Sequence, residues 1–155
     1  MKKFLAVLAA FGLALSANAA DKTYKLKLAS TWESTTPVLG DAAKEFKRVV
    51  ETLSDGRLEV RIDYPSKHKA PFGILDFVKG GQYDIGYTAS YYYKGKDANT
   101  MFFTAVPFGM TASELRAWYE FGGGKQLEEK VYDKYNIKVF NAGDTGTQMG
   151  GWFKK

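Results

Sequence analysis

An α/β layer fold, with a mostly parallel sheet flanked by helices, is what this sequence predicts, on three observations. Short segments of alternating polarity stand at Tyr24–Leu28, Leu58–Tyr64 and Tyr83–Ala89. A stripe of apolar residues at three- and four-residue spacing lies between the first two, and a shorter helical run lies between the second and third. A strand, an 18-residue helical segment (36–53) and a second strand make a βαβ unit, and such crossovers are right-handed in nearly all cases. Strands that alternate with helices pair in parallel, because each crossover returns the chain to the same end of the sheet.

The chain opens M-K-K-F-L-A-V-L-A-A-F-G-L-A-L-S-A-N-A-A-D. Lys2 and Lys3, the apolar run from Phe4 to Leu15 and the Ala17-Asn18-Ala19 site have the layout of a secretory signal peptide over residues 1–19. A 12-residue run is short for a bilayer, which takes about 20. A mature chain starting at Ala20 or Asp21 and exported through a cleavable signal is therefore expected. No later segment is apolar enough to cross a membrane as a helix.

Tyr24-Lys25-Leu26-Lys27-Leu28 alternates and runs into Ala29-Ser30-Thr31-Trp32, a strand followed by a loop. Pro37 stands where proline favours the first helical position, with Thr36 available as N-cap. Leu39, Ala42, Ala43, Phe46, Val49, Val50 and Leu53 draw the apolar stripe, and Asp55-Gly56 stops the helix. Leu58 to Tyr64 is a strand with one face buried. Phe72 to Lys79 reads as a short helix ended by Gly80-Gly81, before the third strand. Tyr91, Tyr92 and Tyr93 then continue that strand into a Lys-Gly-Lys turn; extended, they would put Tyr91 and Tyr93 on one side and Tyr92 on the other. The aromatic connection from Phe102 to Gly109 reads as core. Helices are predicted at Ser113–Phe121 and Lys125–Tyr135, broken by Gly122-Gly123-Gly124, and strands at Ile137–Asn141 and Gln148–Phe153.

Composition excludes several classes of function. Without Lys2 and Lys3 the chain has 20 basic residues against 17 acidic ones, a net charge of +3. That is mild, and Lys67-His68-Lys69 reads as a solvated loop, so nucleic acid is not an expected partner. The absence of cysteine rules out disulfides and thiol catalysis. The one histidine, His68, lies between two lysines in an expected loop and reads as surface rather than as an isolated base or ligand; with no second histidine a serine triad is not expected, and no paired His or Cys metal signature is present. Gly143 to Gly146 lack the lysine and spacing of a P-loop. About 136 residues after the signal is one domain's worth, by the prior of roughly 100 to 200 residues per domain.

Ligands of open α/β sheets sit beyond the carboxyl ends of the strands. Three loops qualify: Ser30-Thr31-Trp32, Ser90 to Tyr93, and Gly143 to Gln148. Hydroxyls, an amide and aromatic rings suit a small polar solute. The plainer alternative for the tyrosines is that one side packs in the core and the other faces solvent.

Six stretches in order carry a resemblance: L-A-S-T-W, P-V-L-G-D-A-A-K-E-F, S-D-G-R-L-E-V-R-I, K-G-G-Q-Y-D-I-G-Y-T-A-S-Y-Y-Y-K-G-K, V-P-F-G-M-T-A and G-D-T-G-T-Q-M-G-G-W-F. From about Tyr24 to Lys155 the chain resembles the solute-binding proteins of TRAP transporters, the tripartite ATP-independent periplasmic carriers. Its G-T-Q-M-G-G-W-F form is similar to the subgroup that binds 2-oxo acids, lactate and related carboxylates together with a cation. The resemblance implies a periplasmic binding protein-like fold with two lobes and more than twice this length. Residues 20–143 would then be the N-terminal α/β lobe and residues 144–155 the start of a strand crossing into a second lobe that this chain largely lacks. It implies solute contacts at Thr31, Trp32, Tyr91, Tyr92, Gln148 and Trp152, with Gln148 also holding the cation, sodium or calcium. It implies no other cofactor, a small organic acid and the TRAP membrane permease subunits as partners, a periplasmic location, and no catalysis. Lys154 stands where relatives often have arginine, and the family's chief carboxylate-binding arginine, in a later K-x-R-x-P strand, has no counterpart here. Rival readings are a binding protein of an ABC importer or of a sensor, and an exported hydrolase.

Overall fold

The structure is a computed structural model that describes residues 22–146 and residue 154. The signal segment (1–19) and the strand expected at Gln148–Phe153 lie outside the described residues. In chain order come β1 (Tyr24–Ser30), α1 (Leu39–Leu53), β2 (Leu58–Asp63), α2 (Pro65–His68), α3 (Ile74–Lys79) and β3 (Ile85–Tyr87). The three strands form one parallel sheet in the order β2-β1-β3. Leu26 lies opposite Val60 and Leu28 opposite Ile62 on one side of β1, and Ser30 lies opposite Tyr87 on the other. The first crossover carries the chain to one side of β1 and the second carries it to the other side. Strand order therefore reverses at β1, and the carboxyl ends of β1 and β3 flank the crevice such a reversal leaves.

Leu28, Ala29, Val60, Ile74 and Leu75 are buried and form the centre of this half. α3 lies directly on the β3 backbone: a Cβ on Gly86 would fall 2.6 Å from Ile74 Cγ2 and 3.1 Å from Val78 Cγ2. The free edge of β2 is covered by α1, since Lys47 Nζ donates to the Val60 carbonyl at 2.7 Å and the Val60 N–H donates to Glu51 Oε1 at 2.9 Å. Side chains thus satisfy groups that a bare edge strand would offer to another chain.

The second half begins with two 3-10 turns, Ser90–Tyr93 and Ala98–Phe103, followed by α4 (Ala112–Phe121) and α5 (Gly124–Asp133). α4 starts with a reciprocal cap, Thr111 Oγ1 accepting from the Glu114 N–H at 3.4 Å while Glu114 Oε2 accepts from the Thr111 N–H at 2.8 Å. Leu75, Tyr93 and Tyr132 form a buried cluster that joins the halves, with Tyr92, Val131, Tyr135, Ile137 and Val139 packed around it.

Several expectations are corrected. α1 begins at Leu39, with Val38 at its cap position in left-handed backbone (φ 63°), so neither Pro37 nor Thr36 opens it. The contact at Gly40 sets that start, because a Cβ there would meet the Ser34 oxygen at 2.6 Å and the Glu33 oxygen at 2.7 Å, and the loop takes an extra turn to make this approach. Leu53, counted in the buried stripe, is 82 % exposed at the helix end. The tyrosine triplet is a 3-10 turn rather than extended chain, so its side chains point about 120° apart and Tyr91 does not share a side with Tyr93. Ile137 to Asn141 forms no ladder: the alternation there records Ile137 and Val139 packing on the Tyr132 cluster, and packing alone does not supply a pairing partner. The aromatic connection is mostly surface, with Phe102 56 % exposed and Phe108 fully so, and only Phe103 stacks inward, on Trp118 at 6.2 Å. Its residues with Leu115 and Trp118 line an open groove of about 370 Å³.

Candidate functional site

The crevice at the ends of β1 and β3 is held by a row of hydroxyls. Tyr93 donates to Thr88 Oγ1 at 2.8 Å, Thr88 Oγ1 lies 2.8 Å from Thr31 Oγ1, and Thr31 donates to the Pro71 carbonyl at 3.0 Å. One proton per hydroxyl suffices if the row runs from Tyr93 through Thr88 and Thr31 to Pro71. This row ties the end of β3 to the end of β1 and to the turn before α3. Thr31 is buried with its hydroxyl engaged inside the protein, so it forms the floor of the crevice.

On that floor stands an arc of aromatic rings. Trp32 meets Tyr87 edge to face at 5.0 Å and lies 6.3 Å from Tyr92. Tyr92 in turn meets Phe72 at 4.9 Å and Tyr91 at 4.5 Å, both edge to face. The 3-10 turn explains the arrangement: it drives Tyr93 into the core and leaves Tyr91 and Tyr92 side by side over the crevice. Tyr91 donates to the Tyr92 hydroxyl at 3.4 Å, a long bond, and among the described residues the Tyr92 proton has no acceptor. Burial, and then the Tyr92 hydroxyl beside it, push the Tyr91 phenol up to about 12, so it stays a neutral donor. Burial also pushes Tyr93 up to about 12.

The loop after β1 is braced from two directions. Glu33 accepts from the Ser66 N–H at 2.6 Å and the Ser66 hydroxyl at 3.2 Å, pinning it to α2. His68 lies 2.9 Å from the Ser30 carbonyl through Nε2, while its Nδ1 accepts from the Ala70 N–H at 3.2 Å, so the ring proton belongs on Nε2. Its ring packs edge to face on Phe77 and Tyr83. Lys67 and Lys69 are exposed, as expected of a solvated segment, but His68 between them is a half-buried brace, and with both nitrogens engaged it offers no base or ligand atom to the crevice. At the end of β2, buried Asp63 takes Arg61 at 3.0 Å, Lys67 at 2.8 Å and the Tyr83 hydroxyl at 3.0 Å. Burial pushes its carboxyl up, but the hydrogen bonds from Lys67 and Tyr83 and the charges of Arg61 and Lys67 outweigh that and hold it below its ordinary value.

Four of the six expected contact residues are therefore placed. Trp32, Tyr91 and Tyr92 come together on the arc and Thr31 lies beneath them, whereas Gln148 and Trp152 lie outside the described residues. Sequence reasoning missed Phe72, Tyr87 and Thr88. Phe72 reads in sequence as a helix start and Tyr87-Thr88 as the middle of a strand running to Ala89, whereas β3 ends at Tyr87 and α3 begins at Ile74. Among the described residues no group of three or more His, Cys, Asp or Glu side chains could hold a metal ion. The open groove beside Trp118 shares no residue with the arc.

Residues 28–155 match the family described as bacterial extracellular solute-binding protein, family 7. A monocarboxylate 2-oxoacid-binding periplasmic protein of Nostoc sp. is 37% identical over 129 residues, which is 83% of this chain and 35% of that protein. A TRAP periplasmic solute-binding protein from Colwellia psychrerythraea, solved with bound calcium and pyruvate, is 58% identical with a TM-score of 0.84, covering 86% of this chain and 41% of that one. Another from Pseudoalteromonas atlantica, solved with bound sodium and pyruvate, is 57% identical with the same TM-score and coverage. The chain thus spans about two fifths of the length of these solved relatives. A parallel three-stranded sheet with flanking helices fits one lobe of such a protein. The chain belongs to the bacterial extracellular solute-binding protein family 7.

Proposed function

We propose that this chain is the N-terminal lobe of a periplasmic receptor of a TRAP carrier, exported through the signal at residues 1–19. It captures a small monocarboxylate of the 2-oxo acid or lactate type together with sodium or calcium, hands it to the membrane permease subunits and makes or breaks no bond. The observation that carries this reading is the Tyr92 hydroxyl. It stands at the strand-order reversal, inside an aromatic arc, with its proton uncommitted and a second phenol donating to it. A carboxylate or 2-oxo oxygen takes such a proton, and the rings beside it shed water around the short carbon chain. The pyruvate and the calcium or sodium held by the Colwellia and Pseudoalteromonas relatives support the solute class and the cation.

In this reading Trp32, Tyr91 and Tyr92 line the solute, Thr31 fixes the floor beneath them, and Gln148 and Trp152 complete the wall, Gln148 with its amide oxygen on the cation. Residues 144–155 lead into the second lobe, which closes over the solute by a hinge. The exported-hydrolase alternative has less support, since the histidine that would serve as base is spent on Ser30 and Ala70. Calorimetric titration of the full-length protein with pyruvate, with and without calcium or sodium, tests the proposal. Cation-dependent binding is expected, and no binding of any 2-oxo or 2-hydroxy acid in either condition would overturn it.

A further inference from the structure

α5 carries a carboxyl that the binding reading does not use. Glu128 is 6 % exposed, in a surround of hydroxyls. Ser90 donates to its Oε1 at 3.2 Å from the first residue of the tyrosine turn. Tyr119 comes in from α4, 5 % exposed, with a buried hydroxyl that makes no hydrogen bond among the described residues and a phenol that the Glu128 carboxyl helps push up, after burial. Tyr132, one helical turn further along α5, is buried in the cluster with Leu75 and Tyr93. A buried carboxyl surrounded by uncharged groups destabilises a fold whenever it is ionised, and among the described residues Glu128 has no cationic partner. What the position does supply is a grip on Ser90. That grip sets where the 3-10 turn begins, and so where Tyr91 and Tyr92 stand over the crevice.

We propose that Glu128 is the positioning residue of the tyrosine turn, holding Tyr91 and Tyr92 in their binding arrangement through its hydrogen bond from Ser90. The inference rests on the proposed binding role for its effect on solute, while its effect on the turn stands independently. An ionised carboxylate accepts from Ser90 more strongly than a protonated one, because the charge assists the bond. Burial pushes the Glu128 carboxyl up, and the hydroxyls of Tyr119 and Ser90 pull it back only in part. Its protonation therefore falls in a window above the ordinary range for a glutamate. The groups facing it are Ser90 from the turn, Tyr119 from α4 and Tyr132 from α5. Burial pushes Tyr119 far up and Tyr132 up to about 12, so neither titrates in that window. As pH falls through the window the grip on Ser90 weakens and the turn loosens. Fold stability runs the opposite way: a raised carboxyl favours the folded state when protonated, so its contribution is present at low pH and lost as pH rises through the window.

Two readouts in the full-length protein test this. The first follows the ring signals of Tyr91 and Tyr92 by NMR from about pH 8 down to pH 4.5 without solute, assigned through the single Tyr→Phe variants. A titration step is expected in the parent and none in Glu128→Gln, which keeps an acceptor for Ser90 and a similar shape but cannot ionise. Ser90→Ala is expected to lose the step too, while Glu128 stays in place. The second measures the dissociation constant for pyruvate, whose carboxyl stays ionised throughout. Affinity is expected to fall about two- to fivefold through the same window in the parent, as a charge-assisted hydrogen bond becomes a neutral one, and to stay flat in Glu128→Gln. Tyrosine signals without a step, or with the same step in parent and Gln variant, overturn the proposal. If no pyruvate binds at any pH the binding reading fails, and the NMR arm still decides the role of Glu128.

Discussion

Replacing Tyr92 by phenylalanine isolates the one atom on which the binding proposal depends. The ring contacts, 4.9 Å to Phe72, 4.5 Å to Tyr91 and 6.3 Å to Trp32, are all available to a phenylalanine, so packing is conserved. Among the described residues the hydroxyl only accepts, from Tyr91 at 3.4 Å, and Tyr91 is 39 % exposed, so its own hydroxyl turns to water when that acceptor goes. The expected change in folding stability is therefore close to zero. Binding should respond differently. A lost neutral hydrogen bond to a 2-oxo group costs about 0.5 to 1.5 kcal/mol, a roughly 2- to 13-fold weaker dissociation constant, and a lost bond to a carboxylate costs up to about 3 kcal/mol, roughly 150-fold. Calorimetry of the full-length Tyr92→Phe protein with pyruvate at saturating calcium or sodium reads this directly, beside a melting curve without solute. Tyr91→Phe, which removes only the donor behind Tyr92, should weaken binding less. Unchanged affinity in Tyr92→Phe with an unchanged melting temperature would refute the reasoning and return the tyrosine turn to a purely structural role. A large drop in melting temperature would show that the hydroxyl has a structural partner instead.

Gly86→Ala should destabilise the lobe by about 1 to 3 kcal/mol, because its Cβ would meet a branched methyl of fully buried Ile74 that has no room to retreat; an unchanged denaturant midpoint would count against the close packing of α3 on β3. Asp63→Asn should lower stability by about 1 to 3 kcal/mol at neutral pH, by weakening the bonds from Arg61, Lys67 and Tyr83 to a buried acceptor. Because the Asp63 carboxyl lies below its ordinary value when folded, its contribution is present above about pH 4 and lost as pH falls through the lowered value, so the variant should show a shallower acid limb. Parallel acid limbs in denaturation curves of parent and variant would refute that linkage. Gln148→Ala should reduce pyruvate affinity and its dependence on sodium or calcium together, an amide oxygen being a neutral ligand that hard cations accept; equal cation dependence in both proteins would remove Gln148 from the cation site.

What was legible in the sequence depended on how far apart the determining contacts lie. β1, α1 and β2 were readable because Leu26, Leu28, Val60 and the Ala43 stripe announce their faces within a few residues, and a βαβ unit leaves little freedom in how they assemble. That the loops after β1 and β3 come together was readable for the same reason. The conformation of the tyrosine turn was not, because Tyr91, Tyr92 and Tyr93 favour strands locally, whereas Ser90 at the head of the turn donates to Glu128, 38 residues on. The wrong local geometry still put Tyr92 at the crevice, since both geometries turn it away from Tyr93. Only the 3-10 geometry, however, lets Tyr91 stand beside Tyr92 and donate to it. The hydroxyl row is harder still, since Thr31 and Thr88 are 57 residues apart and meet only because β3 pairs with β1. A site of this kind has residue types that can be read from the chain, but its hydrogen-bond directions belong to the tertiary fold. The uncommitted proton on Tyr92 follows from those directions.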